Sequence, residues 1–149
     1  MLERLLALPL ILVLMGFFSV AMLVPAIHAL TLEDHSVAQA FFYSSLLSLS
    51  IIIMISIALS GRPRSENHDI ENLASLALAY TAMPLILAIP FYEGLETTRF
   101  LNAYVEMVSA LTTTGATLFS NPDRLVDSLH LWRAMVAWLG GFMIWVTAS

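Results

Sequence analysis

The sequence predicts an all-α membrane protein, and three observations carry that class. Of 149 residues, 59% are hydrophobic and 11% charged, with a mean hydropathy of +0.85. A soluble domain carries about 25% charge, so this chain cannot cover its surface with polar groups and lipid must be its solvent. The apolar residues also fall into runs near the roughly 20 residues needed to cross a hydrocarbon core, separated by short polar stretches. Finally, residues 100–111 form an apolar segment too short to cross, followed by the small, polar run Thr112-Thr113-Thr114-Gly115-Ala116-Thr117.

The first span is residues 5–30, behind Arg4. It outlasts the apolar core of a signal sequence, about 7–15 residues, and reads as a retained membrane helix. Pro9 falls in its first turn, where a missing N–H costs little, and Pro25 and His28 lie near its far end. Glu33, Asp34 and His35 make a polar connection. They are too few and too close in sequence to favour a divalent ion over a solvated loop. The second span is residues 37–59, where Ser44 and Ser48 sit one helical turn apart as a small face for helix packing.

Residues 1–61 thus form an N-terminal transmembrane hairpin, and 62–72 a polar loop. Gly61 and Pro63 stop the helix, and Arg62 and Arg64 mark the loop as cytoplasmic. The N-terminus is then inside and Glu33 outside. Residues 73–149 form the remaining unit. Its first span, 73–91, carries Pro84 in its interior and is expected to end at Pro90. Glu93 and Glu96 follow as an acidic outer vestibule that raises local cation concentration. Glu106, within the short apolar segment, needs a partner at that depth; Arg133, Asn102 and Ser109 are the candidates. Ser120-Asn121-Pro122-Asp123 reads as a turn. In the last span, from His130, Trp132 and Arg133 suit the outer interface. Ala137 and Gly141 form a small pair, and Gly140-Gly141 permit close approach. The chain's stop at Ser149 reads as a truncation within a longer membrane protein.

Composition excludes several functions. Six arginines, no lysine and eleven acids leave a net charge of −5, with no basic face for nucleic acid. Absence of cysteine removes disulfides, thiol catalysis and thiolate metal sites. His28, His35, His68 and His130 are scattered over both sides, so an intramembrane enzyme is the weakest reading.

The 112–117 run carries the chemistry. Irregular backbone at membrane depth is tolerated only when buried in protein or lining a water-filled cavity. A short helix that dips in and returns through Thr and Gly is therefore a candidate re-entrant pore loop. Backbone carbonyls and Thr hydroxyls can replace the water shell of a dehydrated cation. Gly115 can hold a backbone angle that leaves a carbonyl facing the axis, and the preceding helix directs its partly negative end at the same place.

Residues 102–119, Asn-Ala-Tyr-Val-Glu-Met-Val-Ser-Ala-Leu-Thr-Thr-Thr-Gly-Ala-Thr-Leu-Phe, and 131–141, Leu-Trp-Arg-Ala-Met-Val-Ala-Trp-Leu-Gly-Gly, resemble the Trk/Ktr/HKT family of potassium-uptake membrane proteins, most closely the Trk type. The resemblance covers about residues 80–141; the first two spans match in hydropathy and placement. It implies a helix–pore loop–helix unit of potassium-channel-like architecture. The family strings four such units around one axis behind an extra hairpin. It also implies K⁺ bound by filter backbone at Thr113 and Thr114, with Gly115 the marked glycine, Ala116 and Thr117 completing the filter and Glu106 supporting the pore helix. The resemblance further implies K⁺ as the transported ion, with no resident cofactor. The implied partners are the lipid bilayer, the remaining pore units (in the same longer chain or in others) and a cytosolic nucleotide-binding regulator, in a cytoplasmic inner membrane. One filter strand cannot surround an ion. The alternative is a non-conducting membrane interaction module or transporter fragment, in which 112–117 is a plain loop.

Overall fold

The structure, a computed structural model, describes residues 10–59, 68–95, 97–119 and 125–148. Arg4, Pro9, the Arg62–Arg64 stretch, Glu96 and the 120–123 turn lie outside them. The described residues form six helices: α1 (Leu10–Ala21), α2 (Leu23–Thr31), α3 (His35–Leu59), α4 (His68–Leu95), α5 (Phe100–Leu111) and α6 (Asp127–Ala148). No strand occurs among the described residues. Among the described residues, two stretches are long and apolar enough to cross a membrane: Ile11–Thr31 and His35–Leu59, each with mean hydropathy 2.2.

The first of these stretches is α1 and α2 end to end, interrupted at Met22. Pro25 explains the interruption, because it has no N–H for the carbonyl of Ala21. Helical bonding continues on either side, with the Met22 N–H on Phe18 O (3.1 Å) and the Ala26 N–H on Met22 O (3.3 Å). The corner into α3 is tight. Glu33 takes φ +61°, so that the Asp34 N–H reaches Ala29 O (3.0 Å) and the Glu33 N–H reaches Leu30 O (3.2 Å). That pattern closes a helix with a left-handed residue. Asp34 then caps α3 through Oδ1 to the Val37 N–H (3.3 Å). Asp34 thus serves the backbone, and no metal-ligating cluster is present among the described residues.

α3 buries Ser44, Ser45 and Ser48 toward the other helices, and Ser45 donates across to Ser19 O of α1 (2.7 Å). Its other faces leave Phe42, Leu47, Ile53, Met54 and Ile57 exposed. A core helix of a soluble domain would bury such residues; here lipid is the fitting neighbour.

α4 departs from expectation at both ends. It begins at His68, so the last part of the expected 62–72 loop is helical. It also runs through Pro90 to Leu95, so Pro90 does not end it. Neighbouring side chains bond within the turn ahead of each proline, at the carbonyl next to the one that loses its amide partner. The Trp132 indole N–H donates to Leu87 O (3.2 Å), three residues before Pro90. The Tyr104 hydroxyl donates to Thr81 O (3.4 Å), three residues before Pro84.

Trp132 therefore does not sit at an interface. It is fully buried, edge-on to Phe41 at 5.6 Å between ring centroids, because its N–H has a carbonyl to satisfy inside the bundle. Around it Phe18, Met22, Phe91, Met107, Leu129 and Met143 form one core shared by all the helices. α5 packs between α4 and α6 and carries the 112–117 loop.

Candidate functional site

α5 is short, and its buried side holds Ala103, Glu106, Met107, Ser109 and Leu111. Its C-terminal end is closed in the same manner as that of α2. The Thr113 N–H donates to Ala110 O and the Thr114 N–H to Ser109 O, both at 3.0 Å. This needs a left-handed residue at Thr113, whose φ is +56°. For a β-branched residue that backbone is strained by about 1–3 kcal/mol. Gly115 follows with φ +75° and open space where a Cβ would stand. The sequence reading placed the unusual backbone at Gly115 and missed Thr113, because nothing in a run of three threonines marks one of them as left-handed.

After this turn the chain folds back along α5. The Ser109 hydroxyl donates to Ala116 O (2.6 Å). The Glu106 carboxylate, 2% exposed, spans two elements: Oε1 lies 2.9 Å from Arg133 Nε of α6, and Oε2 accepts the Leu118 N–H at 3.1 Å. Of the three expected partners, Arg133 is the one found. Asn102 instead donates to Thr98 Oγ1 (3.3 Å). The Leu118 amide was invisible to sequence reasoning, since it depends on how the loop returns. Thr112 Oγ1 bonds Val108 O (2.8 Å) and Thr114 Oγ1 (2.7 Å). Thr117 Oγ1 accepts the Phe119 N–H (3.1 Å).

These tethers pair some of the loop's polar groups and leave others open. Residues Thr113, Thr114, Gly115, Ala116 and Thr117 are all exposed. Among the described residues, no donor reaches the carbonyls of Thr113, Thr114 or Gly115. These three lie on exposed residues and are open to water or an ion. Ala116 differs, since Ser109 already occupies one of its lone pairs. Behind the loop lies a cavity of about 340 Å³ lined by Glu106, Ser109, Thr113, Gly115, His130 and Arg133. Glu93, the expected vestibule residue within the described part, is exposed on the last turn of α4.

Comparison with known proteins gives the same direction. The TrkH potassium-uptake protein of Escherichia coli K12 is 30% identical over 132 residues, 88% of this chain and 27% of its own length. TrkI of Halomonas elongata is 37% identical over 67 residues, covering 45% of this chain and 14% of its own length. The chain is a relative of the Trk potassium-uptake proteins. An uncharacterized cation transporter of Methanocaldococcus jannaschii also matches this Trk-type chain, at 35% identity over 79 residues, 53% of the chain and 17% of the transporter. The chain thus spans about a quarter or less of these relatives. No family model and no solved structure matches it.

Proposed function

We propose that this Trk-type chain contributes to potassium uptake across a cytoplasmic membrane, with residues 112–117 as one strand of a re-entrant selectivity filter. The observation that carries this reading is the set of three successive exposed carbonyls, at Thr113, Thr114 and Gly115, lacking protein donors at the end of a short, tethered helix. Such oxygens suit a dehydrated cation whose water shell they replace. No side chain of the loop carries formal charge, so recognition comes from dipoles. Thr113 and Thr114 are the principal K⁺ ligands, Gly115 and Ala116 add main-chain oxygens, and Thr117 supports the outer mouth. Glu106 holds the returning loop and takes no part in binding.

One strand cannot enclose an ion, so the site is completed by further units in the same longer chain or in others. A cytosolic nucleotide-binding regulator is the partner the resemblance adds. The N-terminus lies inside and Glu33 outside, on the arginines at positions 62 and 64.

Gly115→Ser in the assembled transporter tests the reading. At φ +75° any L side chain strains the backbone, whatever the space available. Reconstituted protein is assayed for Rb⁺ and Na⁺ uptake. The expected outcome is a fall in Rb⁺ preference at unchanged assembly. Unchanged relative uptake returns 112–117 to the status of an ordinary loop.

A further inference from the structure

The glycines of α6 are not equivalent. A Cβ at Gly140 would overlap the Leu111 carbonyl oxygen and lie 2.8 Å from its carbon and 2.9 Å from its Cα. These are backbone atoms, so no side-chain rotation relieves the overlap. At Gly141 the nearest atom is Thr113 Cγ2 at 3.8 Å, ordinary contact. At Gly94 the near atom is Leu129 Cδ2 at 3.2 Å, the end of a flexible side chain. Gly140 is buried, and its α-carbon bears directly on the last residue of α5.

Leu111 is joined to the loop without slack. The Thr113 and Thr114 amides bond back to Ala110 and Ser109, so the helix end and the turn move as one piece. The carbonyls of Thr113 and Thr114 follow within three residues of Leu111. A site built from dipoles tolerates about 0.5 Å of misplacement before it loosens. Fitting a methyl group at Gly140 demands more than that, from either α6 or the end of α5.

We infer that Gly140 is a positioning residue for the 113–115 carbonyls: its missing side chain sets how deeply α5 seats against α6, and thereby the cation preference of the loop. This rests on the filter reading above, and it extends that reading from the loop to the helix behind it. Gly140 touches no ion and acts through Leu111.

The test compares Gly140→Ala with Gly141→Ala in the assembled transporter, by two measurements. Amide hydrogen exchange at Thr113 and Thr114 reports seating without reference to transport. Rb⁺ against Na⁺ uptake reports the consequence. Gly140→Ala is expected to speed exchange and lower Rb⁺ preference about fivefold or more, the range of overpacking costs, while Gly141→Ala does neither. Wild-type exchange in Gly140→Ala, or equal effects from both variants, overturns the proposal. Should Gly140→Ala fail to assemble, the double variant Thr113→Cys/Gly141→Cys decides by cross-linking under mild oxidation, read against the single Thr113→Cys variant; these 149 residues hold no other cysteine. Cross-linking supports the seat and its absence overturns it. A wild-type protein that seats the loop but shows no Rb⁺ preference sinks the transport reading alone, and the exchange data still judge Gly140.

Discussion

Glu106 gives the sharpest prediction on how the loop is held. The perturbation is Glu106→Gln, which keeps shape and one carbonyl oxygen but removes the charge. The carboxylate makes two bonds, to Arg133 Nε at 2.9 Å and from the Leu118 amide at 3.1 Å. A glutamine oxygen can keep one of them, and its amide group then faces the other partner with the wrong polarity. Removing one member of a buried pair costs about 3–5 kcal/mol. Arg133 is 26% exposed, so its guanidinium regains some hydration, and we expect about 2–3 kcal/mol. The assay is a double-mutant cycle of Glu106→Gln and Arg133→Gln, with unfolding of the purified protein followed by intrinsic tryptophan fluorescence. A coupling of about 1.5 kcal/mol or more is expected. Coupling below about 0.5 kcal/mol refutes the pair as a structural tether. A Glu106→Gln protein of wild-type stability that has lost Rb⁺ preference refutes it differently, by placing the carboxylate on the ion path.

Two further outcomes follow from the backbone and from the seam between α2 and α6. Thr113→Gly relieves a left-handed threonine, so stability should hold or rise by about 1 kcal/mol, while Rb⁺ preference falls because the loop gains freedom; a destabilised variant with unchanged preference contradicts this. Ser128 is fully buried and its hydroxyl lies 2.9 Å from His28 Nδ1. Ser128→Ala should therefore cost about 1 kcal/mol in unfolding measurements, and no measurable change would remove this hydrogen bond from the account of how the two helices are joined.

What could be read from the sequence follows the range of each signal. Hydropathy is local, and it located α3 and the short α5 to within a few residues. Glu106 was legible as a buried group needing a partner because a carboxylate in an apolar segment is costly wherever the chain goes. Its pairing with Arg133 could be offered only as one of three options, since 27 positions separate the two and only packing brings them together. Pro90 misled because a proline's effect depends on how the turn around the lost bond is held. The carbonyl that loses its amide partner is that of Ile86; Trp132 donates to the adjacent Leu87 O and ties this turn to α6, and the helix continues. The same hydrogen bond moved Trp132 from an expected interface into the core. Gly140-Gly141 was readable as a place of close approach, but which glycine makes the approach, and against which atom, is a property of the fold.

The tethers also explain why an isolated copy of this segment would not hold its shape. A helix as short as α5 is marginal in isolation, and its end carries a strained Thr113. The bundle holds it at three separated points, Tyr104 on Thr81 O, Glu106 on Arg133 and Leu111 against Gly140, while the Leu118 amide on Glu106 and Ser109 on Ala116 O tie the loop back to the helix. Each tether engages the side of α5 or of the loop that faces protein. The carbonyls of Thr113, Thr114 and Gly115 are consequently held in place while remaining unpaired. That combination suits the proposed dipolar recognition of a cation: oxygens open to solvent yet held in place, so that an arriving ion exchanges its water for them without waiting for the backbone to reorganise.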